Sequence, residues 1–151
     1  DTPMKKPSHL VITGVLALAA LALIPALLNG NPAAEPDTTI PPEIDQTALI
    51  AEASEYFRQM CEGDFSTFHE ALPRSIRSQT APETIQNAWE DEARKVNASP
   101  SLDAAEITFY RPEFSDQLRV EFSVPGEKGS FRFFINYTLA GNLYNYVVWV
   151  H

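Results

Sequence analysis

The stretch Met60–Pro73, MCEGDFSTFHEALP, places the single cysteine of the chain, Cys61, in the same short region as a histidine, His69. A cysteine beside a histidine is the arrangement of a thiolate nucleophile and its general base. The same stretch carries Gly63 and Asp64, which are common signals for the end of one helix and the start of the next. Closeness along the chain does not supply the geometry of a catalytic pair, and free cysteines are commonly buried. We therefore interpret the stretch as a helix boundary with core residues around it.

Other side chains that could act as acids or bases are scattered along the chain. They are Asp103, Tyr110, Tyr137 and His151, besides His69. No two acids converge on the inward positions of one strand, so the sequence predicts no catalytic residues and no enzyme. One cysteine cannot form an internal disulfide, and no Cys/His spacing suits a zinc site. We predict neither a metal nor a cofactor.

The charge balance limits the partners. The chain has 20 acidic and 11 basic residues, and its formal net charge is −9. Nucleic-acid-binding domains carry basic surfaces, so we expect no nucleic-acid partner.

An uncharged apolar run extends from Leu10 to Leu28. As a helix it would be about 28 Å long, close to the thickness of the hydrocarbon core of a bilayer. Lys5 and Lys6 precede the run, and acidic residues follow it with no Lys or Arg until Arg58. This asymmetry predicts a single transmembrane helix with the N-terminus in the cytoplasm. A secretory signal peptide and a buried helix of a soluble core are the alternatives.

The remaining segments follow from this anchor. Residues 1–9 are predicted to be cytoplasmic and residues 10–28 to span the lipid bilayer. Residues 29–46, with four prolines and interspersed acids, are typical of a stiff extended linker. Residues 47–151 then form one domain in the periplasm, outside the cytoplasmic membrane.

Helical periodicity covers the first half of this domain. It predicts helices over 47–63, 64–72 and 80–96, with Thr47 capping the first and Asp64 the second. Thr80 and Glu83 are predicted to form a capping box on the third. The RSIRS stretch, 74–78, is expected to be a loop with a small basic spot.

Alternation of period two follows after Pro100. It predicts four strands, over 104–111, 117–124, 130–138 and 143–151, joined by the turns PGEKG and AGN. On the third strand Arg132 and Asn136 are expected to face outward. Helices in one block and strands in the next predict an α+β fold, with three helices packed on one face of a curved four-stranded antiparallel sheet.

The pattern resembles the nuclear-transport-factor-two-like (SnoaL-like) superfamily, and within it a bacterial family of unknown function. The residues that carry the resemblance are Gly63, Asp64 and Phe65 at the turn between helices, and Ile85 one turn before Trp89. The resemblance covers residues 47–151. It implies a cone-shaped domain that can house isomerases, cyclases, dehydratases, ligand binders or non-catalytic assembly modules, some of them behind a single membrane helix in secretion machines.

The last strand, LYNYVVWV, is apolar on both faces, with Leu143 and Asn145 on one and Tyr144 and Tyr146 on the other. Such a strand is covered on both sides or contacts a partner. The candidate pocket or partner surface comprises Trp89, Tyr110, Phe133, Tyr137, Tyr144, Tyr146 and Trp149.

These observations favour a non-catalytic accessory or assembly subunit of a bacterial membrane complex, whether photosynthetic, respiratory or secretory. Its partners would be other subunits or a second copy. A periplasmic small-ligand-binding protein and a SnoaL-like isomerase or hydrolase are the alternatives.

Overall fold

A computed structural model describes residues 9–11 and 37–151 of the chain. Four helices precede the main strands in these ranges, and one short strand lies near the N-terminus. The helices are α1 Gln46–Cys61, α2 Ser66–Ala71, α3 Arg74–Arg77 and α4 Pro82–Val96, and the strands are β1 His9–Val11, β2 Glu106–Tyr110, β3 Gln117–Gly126, β4 Gly129–Thr138 and β5 Leu143–Val150. The predicted α+β class is confirmed, because the antiparallel sheet and the helices form separate blocks of sequence.

Polar side chains cap two of the helices, but only one cap is the predicted residue. At α1 the cap is Asp45 instead of Thr47, because its carboxylate accepts a hydrogen bond from the amide of Ala48. By its bounds α2 has Phe65 as the residue before its first turn, but Asp64, one position earlier, supplies the capping bonds: its carboxylate accepts from the amides of Ser66 and Thr67 at 3.1 and 3.2 Å. These bonds satisfy amides that the first turn of a helix leaves without partners.

At α4 the predicted capping box between Thr80 and Glu83 is wrong. The cap residue is Ala81, and its amide donates instead to the hydroxyl of Thr84. Pro82 occupies the first helical position, where its missing N–H costs no hydrogen bond. The helix therefore begins one position later than the Thr80 cap would require.

The predicted RSIRS loop is the short helix α3. Its last residue, Arg77, donates to the backbone carbonyls of Glu70 and Leu72 at 3.0 and 2.9 Å. Ile76 is buried beneath it. The Arg77 side chain thus holds the end of α2 against α3. The turn signals in the sequence did not predict this contact.

The sheet has five strands in the order β1-β5-β4-β3-β2, and every described pairing is antiparallel. The prediction of four strands omitted β1, which pairs with β5 so that Leu10 lies opposite Trp149. At Leu10 and Val11 the structure therefore has a strand in place of the predicted membrane helix. Leu143 was expected on the same face as Asn145, but a register shift at Asn136/Tyr137 pairs it with Tyr137. It therefore packs on the helix side of the sheet.

The hydrophobic core lies between the helices and one face of the sheet, here called the inner face. Phe57 on α1 stacks on Phe122 of β3 with ring centroids 4.3 Å apart, and Trp89 on α4 lies 4.8 Å from Phe131 of β4. These side chains are at most 4% exposed. Period-three-to-four spacing on the helices and period-two spacing on the strands bring them together. The prediction that helices pack on one face is confirmed.

Residues 12–36 lie outside the described ranges, and with them most of the predicted membrane helix and eight of the 18 residues of the predicted linker. No helix in the described part of the chain is long and apolar enough to cross a bilayer. The rest of the predicted linker contacts the domain: Ile40 and Ile44 pack against the core, and Asp37 forms an ion pair with Arg111 at 3.2 Å. The chain thus reaches α1 along the surface of the domain.

Candidate functional site

The face of the sheet turned away from the helices, here called the outer face, carries an unusual set of polar and aromatic side chains. Strand alternation places them there, since their neighbours along each strand point into the core. They are Tyr110, Arg119, Glu121, Arg132, Phe134, Asn136, Asn145 and Trp149, and the aliphatic Val147 lies among them. This outer face is the most distinctive candidate functional site of the described residues.

Two hydrogen-bonded groups organise the outer face. In the first, Arg119 Nε donates to the side-chain oxygen of Asn136 at 2.9 Å. The side-chain nitrogen of Asn136 in turn donates to the side-chain oxygen of Asn145 at 2.8 Å. These three residues are direct neighbours on β3, β4 and β5. Asn136 and Asn145 are fully buried, so the bonds satisfy groups that water cannot reach.

In the second group, Glu121 accepts from two sides. Arg132 donates to one carboxylate oxygen through Nε at 3.0 Å and through a terminal nitrogen at 2.7 Å. The hydroxyl of Tyr110 donates to the other oxygen at 2.8 Å. Burial raises the pKa of Tyr110, so its hydroxyl stays protonated at neutral pH. Because both oxygens of Glu121 are occupied, the carboxylate is poorly placed to act as a general base.

The aromatic side chains lie against the same cations. The Arg119 guanidinium is 4.5 Å from the centre of the Phe134 ring, and that of Arg132 is 5.3 Å from it. Arg132 also lies 4.8 Å from the Trp149 ring. Cation–π contacts of this kind gain strength where water is excluded. On the outer face the two arginines are therefore held both by hydrogen bonds and by aromatic rings.

The predicted pocket residues divide between the two faces. Trp89 of α4 and three residues of the inner face, Phe133, Tyr137 and Tyr146, belong to the core. Tyr110 and Trp149 belong to the outer face, and Tyr144 is half-buried beside the β-bulge of β5. The structure therefore does not bring all seven together.

The two inner tyrosines have partners at the rim of the core. The hydroxyl of Tyr137 donates to Glu52 at 3.2 Å, and that of Tyr146 lies 3.4 Å from the hydroxyl of Thr80. Burial, and secondarily the nearby Glu52 charge, raises the pKa of Tyr137. Both hydroxyls stay neutral at physiological pH, which suits buried hydrogen-bonding groups.

Cys61 and His69 have separate environments. The His69 Nε2–H donates to the carbonyl of Thr80 at 2.8 Å. Burial, and then the Glu62 charge, raises the pKa of the Cys61 thiol to about 12. The thiol is therefore protonated at neutral pH, which lowers its reactivity. It lines a pocket of about 370 Å³ with residues that include Arg58 and Asp103.

A buried carboxylate joins α4 to the end of β5. Glu92 accepts hydrogen bonds from the amide and the Nδ1 of His151, both at 3.1 Å, and from Lys95 at 2.9 Å. Burial raises the pKa of Glu92, but the bonds from Lys95 and His151 outweigh it and the net shift is downward. The carboxylate is thus charged at neutral pH and holds the strand end against the helix.

The sequence interpretation missed the outer-face network because it treated polar residues on alternating positions as solvated. The one available signal was Asn136 and Asn145, amides within runs of apolar and aromatic residues on β4 and β5. Their strands pair as neighbours, which sequence alternation does not show. Among the described residues, no group of acids, cysteines and histidines could hold a metal ion.

No family model, curated protein or solved structure matches the chain. The class of protein is therefore defined by the fold alone. It is an α+β domain with helices on the inner face of an antiparallel sheet and a buried polar network on its outer face.

Proposed function

We propose that the chain is a non-catalytic interaction protein, acting as an accessory or assembly subunit of a bacterial membrane complex. The observation that supports this proposal is the filled interior of the domain. Phe57, Phe122 and Phe133 are fully buried against one another where a ligand-binding cone would need open space. We therefore infer that the domain contacts its partners through its surface.

One sheet edge offers a surface for such a partner. β2 ends the strand order, and its first three residues, Glu106–Thr108, are exposed. Ile107 on β2 and Phe114 in the turn that follows β2 are the large apolar side chains most exposed among the described residues. Edge strands with free backbone groups can take up a strand from another chain. We propose β2 as the contact with another subunit or with a second copy.

The membrane part of the proposal comes from the sequence. The uncharged run and the charges that flank it favour residues 10–28 as a single-pass helix, with the domain in the periplasm. One crossing places residues 11 and 37 on opposite sides of the bilayer. This anchored form therefore requires β1 to be separated from β5.

Two alternatives make different demands on the interior. A small-ligand-binding protein needs an apolar cavity, and a SnoaL-like isomerase or hydrolase needs a polar pair inside the cone. The inner tyrosines instead bond at the rim, to Glu52 and Thr80. The resemblance to the nuclear-transport-factor-two-like superfamily remains part of the proposal, since it accounts for the order of helices and strands.

Co-purification from native membranes tests the proposal. The membranes are extracted in mild detergent, separated by size, and the proteins that migrate with this chain are identified. We expect a stoichiometric complex that dissociates when Ile107→Asp places a charge at the β2 edge, with Thr38→Asp as the exposed control. A chain that migrates alone would contradict the subunit role.

A further inference from the structure

The β2 edge of the sheet is a short strand whose backbone defines how much of it can pair with another chain. On one side β2 bonds to β3, and no described strand pairs with its other side. Just before β2, the amide of Ala105 already donates to the carbonyl of Leu102 at 3.1 Å. Two residues after β2, Pro112 has no amide hydrogen to donate. The segment available to a further strand is therefore Glu106–Tyr110, with Thr108 at its centre.

This edge is open along its first half and lacks the usual protections of a free edge. The first three residues of β2 are exposed, and the linker residues Asp37 and Thr39 bond to Arg111, beyond the last residue of the strand. Natural sheets protect free edges with lysines, prolines or β-bulges. β2 contains no lysine and no proline, and its register with β3 is continuous. Its one charge, that of Glu106, stands at its first position.

The apolar residues of β2 are complementary to those of an identical strand. When two copies run antiparallel about Thr108, Ile107 of each copy lies opposite Phe109 of the other. Ile107 pairs with Phe122 and Phe109 pairs with a core valine in β3, so both lie on the inner face. Pairs of aromatic and β-branched side chains are among those that stabilise neighbouring strands. The symmetric pairing makes this contact twice and covers the exposed Ile107 in both copies.

The charges favour the same register. Glu106 of each copy lies opposite Tyr110 of the other, and Arg119 pairs with Tyr110 from the β3 side. Among the described residues Glu106 forms no ion pair, and this arrangement places it in the same row of the sheet as an arginine. Like charges directly opposite each other would be destabilising. Although the chain has a net charge of −9, no acid of β2 then faces another acid of β2.

We infer that β2 pairs with β2 of a second copy, antiparallel and centred on Thr108, so that the two sheets become continuous. The inference rests on the proposed function, since it names the occupant of the edge already proposed for contact. The two-fold axis runs perpendicular to the sheet through the pair of Thr108 residues, so the inner faces of both copies lie on the same side. β1 is at the opposite edge, so the pairing is independent of whether β1 is bound to β5.

Disulfide crosslinking of the full-length chain tests this register. In a Cys61→Ala background, Thr108→Cys should form a disulfide-linked dimer under mild oxidation, because opposite residues have Cα atoms about 4.5–5.5 Å apart. Glu106→Cys is the matched control, since Glu106 is also exposed and on the same face. Four residues separate Glu106 from its partner position, so the two Cα atoms would be about 13 Å apart and the dimer should form roughly tenfold more slowly. Equal rates at the two positions, or no dimer at either, would overturn the inference.

Sedimentation of the purified full-length chain in detergent separates a failure of this inference from a failure of the proposed function. We expect a dimer whose dissociation constant rises about tenfold or more in Ile107→Asp, where a charge replaces the apolar contact, and is unchanged in Thr38→Asp. Circular dichroism of both variants verifies that they are folded. A monomer that still co-purifies with other proteins through Ile107 would overturn the inference and leave the subunit proposal standing. A dimer that co-purifies with no other protein would support the inference and contradict a role in a larger complex.

Discussion

Replacing Phe57 by Ala measures how tightly the interior is packed. The ring is 0% exposed, stacks on Phe122 at 4.3 Å, and lies 5.1 Å from Trp89. Removing a fully buried phenylalanine costs about 3–5 kcal/mol, because the transfer energy is lost and a cavity remains. Each aromatic contact adds about 0.5–1.5 kcal/mol beyond its area. We therefore expect a loss near the upper end, about 4–5 kcal/mol, in the free energy of unfolding.

Urea denaturation followed by circular dichroism provides the measurement, and Phe114→Ala provides the control. Phe114 is 45% exposed, so the same chemical change should alter stability by no more than about 0.5 kcal/mol. The apolar cavity left by Phe57→Ala should stay dry and take up benzene or xenon. Benzene should therefore stabilise the Phe57→Ala protein and leave the unmodified protein unchanged. A loss below 1 kcal/mol, or stabilisation of the unmodified protein by benzene, would refute the filled interior and favour a ligand-binding protein.

Three substitutions and one measurement of thiol reactivity test individual contacts. Asp64→Ala should lower the free energy of unfolding by about 1 kcal/mol in urea titrations, because the cap of α2 is lost, whereas Asp64→Asn should lose less. Glu92→Gln should cost about 1–3 kcal/mol at pH 7. The pKa of Glu92 is lower in the folded protein than in the unfolded chain, so its charge stabilises the fold above the unfolded pKa. The difference in unfolding free energy between Glu92→Gln and the unmodified protein should therefore vanish as the pH falls through the folded pKa. A difference that persists in acid would contradict this reasoning. Cys61 should react with iodoacetamide at pH 8 roughly a hundredfold more slowly than free cysteine, and equal rates would show an accessible thiolate. Gly126→Ala should destabilise the protein by about 1–3 kcal/mol in thermal melts, since its Cβ would overlap the carbonyl oxygen of Val96; an unchanged Tm would refute that close approach.

Much of the fold could be predicted from periodicity. The apolar positions of α1 and α4 recur at helical spacing and those of β3 alternate strictly, so element types and the packed face followed from side-chain geometry. Capping was harder, because Asp45, Thr47 and Thr84 all suit helix starts, and tertiary packing decides among them. The strand β1 could not be predicted, since three residues at the start of an apolar run give no periodicity.

The outer face illustrates a second limit of prediction from the sequence. Arg132 and Asn136 were correctly expected on the face away from the helices, but a pattern of polar and apolar residues does not tell a solvated face from a covered one. Asn136 is buried because Arg119 and Asn145 lie beside it on neighbouring strands, contacts that are distant in sequence. The network could therefore be recognised only after the strand register was known.

The most direct test of how the N-terminal segment is held is a disulfide across β1 and β5. His9 and Val150 are partners in the described pairing, so His9→Cys with Val150→Cys, in a Cys61→Ala background, should form an intramolecular disulfide under mild oxidation. His9→Cys with Thr108→Cys, which lies on the opposite edge strand, should not. The reaction is run on the full-length chain with phospholipid vesicles present. Formation of the first disulfide alone would show that the chain before the apolar segment is bound to the domain that follows it. Its absence, with a chain that remains in the vesicles after alkaline washing, would contradict the pairing of β1 with β5 in the membrane-bound chain and would support the single-pass anchor proposed for residues 10–28.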